Sequence, residues 1–416
     1  MKTIKFIHTA DWHADSDSKK QNKLEASLSQ IVEYCKANKV NAIIHAGDIW
    51  EKKQSYADKS GVPVVIEYLR QLSKLVDFIF ITKGNNSHDE PGSVALLHQM
   101  EPNIYAYEYP VCLAVETKTY SREKEFTELI IIDLLRLEDF NYEVVESFDY
   151  IISLIPYPTK ASFIQEKSID NNNSDFLGLF EQVFDQIGDT TKPYSCPKIL
   201  AFHGNVVGSR LSTGQTLVSQ DIMVAPSTLE KAKHDYYALG HIHLRQFFKP
   251  NMGYSGSIYN KNWGETEQKS FEVIEFIGVP TNKFEICSEQ IMLKSAKPMI
   301  KEELQFLSGE FFYKDGDEVQ FNQVTEAEYR LRIEVKENDR ALITDDKIQM
   351  LKKIFGEEVK IEYNIIPDQR ESRSEKIMHC KSLLDEVSEY AAVIEFNING
   401  TIKEKVHSIS GEEVFS

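Results

Sequence analysis

Five short polar clusters constrain this chain more than any other feature. They are Asp11-Trp12-His13, Gly47-Asp48, Gly84-Asn85-Asn86-Ser87-His88-Asp89, His203-Gly204-Asn205 and Gly240-His241-Ile242-His243. Each follows directly on a short apolar run that reads as a strand. In an open α/β sheet, ligands bind beyond the carboxyl ends of the strands. Five segments far apart in sequence can therefore meet at one place, provided the fold brings five strand ends to a common edge.

The intervening sequence supports such a fold. Lys2 to Ala10, Asn41 to Gly47 and Asp77 to Thr82 are strand candidates. Between them, Gln21 to Asn38 carries Leu24, Leu28, Ile31, Val32 and Cys35 on one helical face. Val62 to Val76 predicts a second helix, with Pro63 tolerated in its first turn. This order implies a layered α/β sheet. Later strand candidates are Glu128 to Asp133, Tyr150 to Pro156, Lys198 to Phe202, Tyr236 to Leu239 and Phe271 to Phe276, which predict a mixed sheet or two stacked sheets. Asp170 to Asp175 reads as a polar loop.

A boundary is expected near Lys294 to Pro298. Beyond it lie a strand (Tyr329 to Val335), a helix (Asp345 to Phe355) and a strand (Glu358 to Ile366), then a charged stretch from Asp368 to Lys376. A last helix is predicted over Ser382 to Phe396, with Leu383, Leu384, Val387, Tyr390, Ala391 and Ile394 at helical spacing. The expected division is 1–293, 294–367 and 368–416.

Composition narrows the class. With 416 residues, 42% of them hydrophobic, the chain can bury one large core and one or two small accessory domains. No apolar run approaches the roughly 20 residues of a membrane span. The five cysteines are scattered singly, which points to a reducing, cytoplasmic setting. The net charge of −18 argues against a stand-alone nucleic-acid binder, which normally carries a basic surface. It leaves room for an enzyme whose anionic site is neutralised by metals, or whose partner supplies the grip on DNA.

The residue types in the five clusters fit a binuclear metal site. Asp, Asn and neutral His suit manganese, iron or zinc better than copper or an iron–sulfur cluster. Two metals roughly 3.5–4 Å apart clamp an in-line displacement at phosphorus and activate a bound water. Any one of these motifs alone reads as a turn or a satisfied polar group. His8, His45, His98, His234, His379 and His407 are expected to be groups of that kind. Five clusters in this order, all after strands, are hard to produce by core packing.

The order D-x-H, G-D, G-N-(x-x)-H-D, H-G, G-H-x-H resembles the calcineurin-like metallophosphoesterase superfamily. The flanking stretches Thr9-Ala10-Asp11-Trp12-His13, His45-Ala46-Gly47-Asp48-Ile49-Trp50, Ala238-Leu239-Gly240-His241-Ile242-His243 and Tyr254-Ser255-Gly256-Ser257 are similar to SbcD-type nucleases. The resemblance covers roughly residues 1–290. Lys297-Pro298-Met299 resembles the opening of that family's DNA-capping domain, and the last segment resembles its tail. The implied fold is an α/β metallophosphoesterase core with mixed β-sheets flanked by helices, plus a small α/β capping domain and a C-terminal helical tail.

The resemblance also implies roles. One metal would be held by Asp11, His13, Asp48 and His243, and the other by Asp48, an Asn of the third motif, His203 and His241. His88 matches the catalytic histidine and Asp89 would orient it. The family usually has Gly-Asn-His-Asp, whereas two extra residues here separate Asn85 from His88. Counting from the strand makes Asn85 the ligand, counting back from His88 makes it Ser87, and Asn86 lies between. The implied cofactors are two divalent ions, Mn2+ or alternatively Mg2+. The implied partners are DNA and an SbcC-type coiled-coil ATPase, with a homodimer inside a heterotetramer and no membrane. Competing readings are a phosphatase or cyclic-nucleotide phosphodiesterase of the same superfamily, and a non-catalytic DNA-end-binding scaffold.

Overall fold

The computed structural model describes residues 3–52, 61–122, 124–133, 135, 148–158, 173–212, 222–279, 283–317, 319, 326–367 and 377–410. Two compact units are present, one comprising Met1–Lys301 with Asn322–Arg330 and Phe355–Val359, the other Glu302–Phe321, Leu331–Ile354 and Lys360–Ser416.

Two stacked sheets build the first unit. One has the order β15-β14-β1-β2-β3-β4, from Lys283–Met292, Ser270–Val279, Thr3–Thr9, Val40–His45, Val76–Thr82 and Ile104–Tyr107. The other has the order β12-β13-β11-β8-β7-β5-β6, from Gln246–Lys249, Met252–Tyr254, Tyr236–Gly240, Lys198–His203, Tyr150–Ile155, Val111–Arg122 and Lys124–Asp133. Strands β1 to β4 run parallel, as do β7, β8, β11 and β13, and β9 (Asn205–Val206) and β10 (Met223–Val224) form a separate parallel pair. The expectation of layered, mixed α/β sheets holds.

Strand periodicity explains the layering. Side chains alternate across a strand, and in β1 to β3 and in β8 and β11 both faces are apolar, so both must be covered. Ile4, Phe6, Ala42, Ile44, Phe78 and Phe80 pack inward against Ile199, Ala201, Tyr236 and Ala238 of the facing sheet. Phe6 meets Tyr150 edge-on, with ring centroids 5.0 Å apart; truncating a buried Phe typically costs about 3–5 kcal/mol. The alternate residues Ile7, Ile43, Ile79 and Ile81 pack outward against helix α1 (Ser18–Ala37) and helix α2 (Val62–Ser73). Leu200, Phe202, Tyr237 and Leu239 pack against helix α3 (Asn173–Thr191) and helix α4 (Pro226–Glu230). The core is therefore helix, sheet, sheet, helix.

In the first unit two expected element boundaries need correction. Helix α2 ends at Ser73, and Val76 already belongs to β3. The polar run expected to be a loop from Asp170 to Asp175 gives way to helix α3, which begins at Asn173; residues 170–172 lie outside the described residues. The helix was missed because its polar start hid the repeat of Phe180, Phe184 and Ile187, all fully buried.

The second unit holds most of a four-stranded sheet of order β17-β16-β18-β19, from Glu310–Tyr313, Met299–Leu307, Glu328–Lys336 and Lys360–Ile366, the first three residues of β16 and of β18 being counted with the first unit. Helix α5 (Asp345–Phe355) precedes its last strand. The charged stretch 368–376 lies outside the described residues. Helix α6 (Leu383–Val393) is shorter than expected: Ser382 is its N-cap, its hydroxyl accepting from the Asp385 amide. A further helix, α7 (Gly400–Ser410), was not foreseen.

Candidate metal centre

The parallel registers bring the motifs together. Thr9 lies opposite His45, and His45 opposite Ile81, so Asp11, Asp48 and Gly84 leave neighbouring strands at one edge. In the facing sheet His203 lies opposite Gly240. The backbone there is unusual. Asp11 (φ 53°), His13 (φ 44°), Asp48 (φ 56°) and His241 (φ 111°) all have positive φ. Non-glycine residues in such conformations cost of order 1–3 kcal/mol each and cluster at functional sites. Two glycines permit the close approach of the strand ends. A Cβ on Gly84 would overlap the Asp48 carboxylate and amide, and one on Gly47 would overlap the His203 ring.

Asp48 is the centre of the cluster and is buried. Its Oδ1 lies 3.3 Å from His203 Nε2, and its Oδ2 lies 4.0 Å from His13 Nε2 and 3.9 Å from His88 Nε2. Two groups of potential ligand atoms result, Asp11–His13–His243 and Asp48–His203–His241, with a third in His13–Glu51–His88.

Of the third-motif residues, Asn85 is the one beside Asp48. Its amide N–H donates to Asp48 Oδ1 at 2.9 Å, and its side-chain Nδ2 to Oδ2 at 3.3 Å. Asn86 instead accepts from Lys83, and Ser87 is exposed and donates to Asn85 Oδ1. The two inserted residues lie in a turn closed by bonds from the His88 and Asp89 amides to the Asn85 carbonyl. That turn keeps Asn85 at the strand end and returns His88 to the cluster.

Asp89 has a different task from the one expected of it. It does not orient His88, whose Nδ1 faces the Glu51 carbonyl. The fully buried Asp89 carboxylate accepts the backbone amides of Gly84 (2.6 Å), Asp48 (3.0 Å) and Trp50 (3.1 Å). Burial, and then the charge of Asp48, raise its pKa to about 7 against those amide bonds. It ties two strand ends together through the backbone.

A layer of carboxylates that sequence reading missed holds the imidazoles. Glu51 lies 3.1 Å from His13 Nδ1, and Glu265 lies 3.0 Å from His243 Nδ1. Each carboxylate is also paired with a lysine, Glu51 with Lys261 and Glu265 with Lys269. Burial opposes ionisation of Glu51, but His13 and Lys261 hold it down at about 2. His203 Nδ1 donates to the Ala46 carbonyl at 2.6 Å. Fixing Nδ1 in this way sets the tautomer and leaves Nε2 for a ligand, as outer partners of metal-binding histidines do. The one available signal was the carboxylate three residues after Asp48; nothing in the spacing announces Glu265.

The donor set fits cations. His13 Nε2 and His243 Nε2 face each other at 2.9 Å, while both Nδ1 atoms are engaged by carboxylates. Among the described residues, the buried His241 Nδ1 has no hydrogen-bond partner, and the buried His203 Nε2 faces only the Asp48 carboxylate, at 3.3 Å. Burial pushes His13 and His241 down to about 3, which favours the neutral ring a metal needs. Burial also disfavours a charge on His203, but the Asp48 carboxylate outweighs it and raises that ring to about 9. The same pairing holds Asp48 well below the usual carboxylate range despite its burial.

The family model of calcineurin-like phosphoesterases matches residues 4–245, which takes in all five clusters and the parallel strands that carry them. The chain is a member of that family. Calcineurin-like phosphoesterases are hydrolases that use divalent metals, and the Asp and His groups described above are where this member can hold them. No curated protein matches the chain. Among the described residues of this phosphoesterase, no helix is long and apolar enough to cross a membrane.

The assignment of Asn85 leads to a direct comparison. Asn85→Ala is expected to weaken one of two Mn2+ binding steps by about 10- to 100-fold, the scale on which changes around a metal site act. Asn86→Ala is expected to leave both steps within about twofold. Calorimetric Mn2+ titration of the two variants measures this, and equal, negligible effects would rule Asn85 out as a ligand.

Proposed function

We propose that this phosphoesterase is a DNA nuclease, an SbcD-type exonuclease and endonuclease subunit acting in DNA repair, recombination or replication. The position of Asp48 carries the reading. One of its oxygens is turned to His203 and the other to His13 and His88, as a ligand shared by two cations requires. Asp11, His13, Asp48 and His243 would hold one ion, and Asp48, Asn85, His203 and His241 the other. The mixed nitrogen and oxygen donors suit Mn2+, with Mg2+ as the alternative. When bound, such a pair polarises the phosphate and activates water. His88 then stabilises the transition state or protonates the leaving oxygen. Asp89 fixes the backbone that carries Asp48 and Gly84, and Glu51 and Glu265 fix the rings of His13 and His243.

The extra mass beyond the phosphoesterase core favours a macromolecular substrate over a small one. We assign residues 294–367 to a DNA-capping domain and 368–416 to a tail that docks on a coiled-coil ATPase, in an assembly with two copies of each subunit. Support for the tail comes from Leu383, Tyr390 and Val393 of helix α6 and from Ile394 and Phe396 just past its end, all more than a third exposed. An amphipathic helix that leaves such residues uncovered suits a partner's groove. A cytoplasmic location accords with five free cysteines.

The deciding assay is Mn2+-dependent release of nucleotides from duplex DNA, measured beside hydrolysis of a small phosphodiester. Release of nucleotides is the expected result. Hydrolysis of the small ester alone would identify a phosphatase or cyclic-nucleotide phosphodiesterase, and activity on neither would point to a DNA-end-binding scaffold. Deleting residues from Ser382 onward is expected to spare metal-dependent cleavage of a short single strand and to abolish co-purification with the ATPase. Retained co-purification, or unfolding of the truncated chain, would remove the docking assignment.

A further inference from the structure

Beside the metal cluster lies a cavity of about 320 Å³ in which His241 and His243 share the lining with Leu211, Ile242, Leu244 and Trp263. Of the three tryptophans, Trp12 and Trp50 are core residues at 1% and 3% exposure, whereas Trp263 is partly exposed. The Arg330 guanidinium lies 6.0 Å from the centroid of the Trp263 ring.

We propose that this cavity is a nucleobase subsite, seating one unstacked base of the strand whose phosphodiester lies at His241 and His243, with Trp263 as the stacking platform. The proposal rests on the reading of the site as a DNA phosphodiesterase and names how that site holds its substrate. Three observations select this occupant. The volume is at the lower end of the roughly 300–1,000 Å³ typical of small-molecule pockets, which suits one nucleoside and not a stretch of duplex. Beside the imidazoles and the polar Ser212, Asn262 and Glu265, the lining offers an indole and three aliphatic side chains, and every base offers a flat π-face to such a surface irrespective of sequence. The cavity is continuous with two candidate metal ligands, so a base seated there has its own phosphate at the cluster.

Charge explains why this chain would need such a subsite. The net charge is −18, and two lysines beside the cluster are already paired, Lys261 with Glu51 and Lys269 with Glu265. Phosphate contacts normally dominate affinity for DNA and weaken steeply with salt. Stacking on Trp263 supplies a hold that does not depend on free cations. It also demands a base outside the helical stack, which a duplex yields only at a cost of a few kcal/mol. Single strands and frayed ends are therefore the preferred substrates.

The test uses the full chain with Mn2+ and two product-like ligands, deoxyadenosine 5′-monophosphate and deoxyribose 5-phosphate, which differ only in the base. The nucleotide is expected to quench the fluorescence of Trp263 and to bind roughly 5- to 150-fold more tightly than the sugar phosphate, the worth of one stacked base. Trp263→Ala should abolish that difference, and Trp263→Phe, which keeps a ring in place, should retain most of it. Equal binding of the two ligands by the unaltered chain would overturn the proposal, as would an undiminished preference in Trp263→Ala. Failure of the DNA reading is separately visible: the chain would hydrolyse a small phosphodiester yet cut no strand, single or double, and the subsite would fall with it.

Discussion

Asp48→Ala is expected to eliminate binding of both metal ions and to reduce phosphodiester hydrolysis on the order of 10⁴-fold or more. The estimate follows from two ions that each supply several kcal/mol of transition-state stabilisation, at about 1.4 kcal/mol per tenfold in rate. Asp48 is the residue whose carboxylate reaches both halves of the cluster. Its removal should leave the fold in place, because Asp89 holds the backbone amides at positions 48, 50 and 84 independently of the Asp48 side chain. Calorimetric titration with Mn2+ and circular dichroism together test this. A folded variant that still binds two ions would remove Asp48 from the centre of the mechanism.

His88→Ser is expected to slow hydrolysis by about 10²–10⁴-fold, the usual contribution of a positioned acid or base, with two ions still bound. The geometry separates His88 from the other rings. Its Nδ1 is held by the Glu51 carbonyl, its side chain is 24% exposed, and its Nε2 lies 3.9 Å from Asp48 Oδ2. The rate loss should fall on kcat, since a group acting in the transition state contributes little to ground-state binding. Glu51 and His13 form a third group of potential ligands with His88. Loss of a metal ion in His88→Ser would therefore show that the ring serves as a ligand in this protein.

The strand ends were legible in the sequence because each rule involved is local. An apolar run followed by Gly-Asp or Gly-His-Ile-His can be read within a dozen residues, and the clusters that contain Asp11, His13, Asp48, His203, His241 and His243 are read that way, whereas spacing alone leaves Asn85, Asn86 and Ser87 open in the third. The outer layer was not legible. Glu265 reaches His243 only because the chain after β13 folds back over the cluster, a long-range fact with no spacing signature. Asp89 was misread for the opposite reason. Adjacency to His88 suggested a pair, but the turn closed onto the Asn85 carbonyl sends the Asp89 carboxylate to the backbones of two strand ends. Helix α3 and helix α7 were lost to their polar starts, where helix period competes with loop composition.

The left-handed backbone at Asp11, His13, Asp48 and His241 bears on how such a protein can change over generations. Glycine adopts these conformations without steric penalty, so the chemistry and the folding preference of each position pull toward different residues. Selection for catalysis keeps the ionisable side chain against a standing destabilisation of about 1–3 kcal/mol per site. A lineage that abandoned hydrolysis would be freed of that opposition, and glycine would spread at these four positions as a gain in robustness. Glycine there, in a chain that otherwise keeps both sheets, would be the mark of a descendant retained for binding alone.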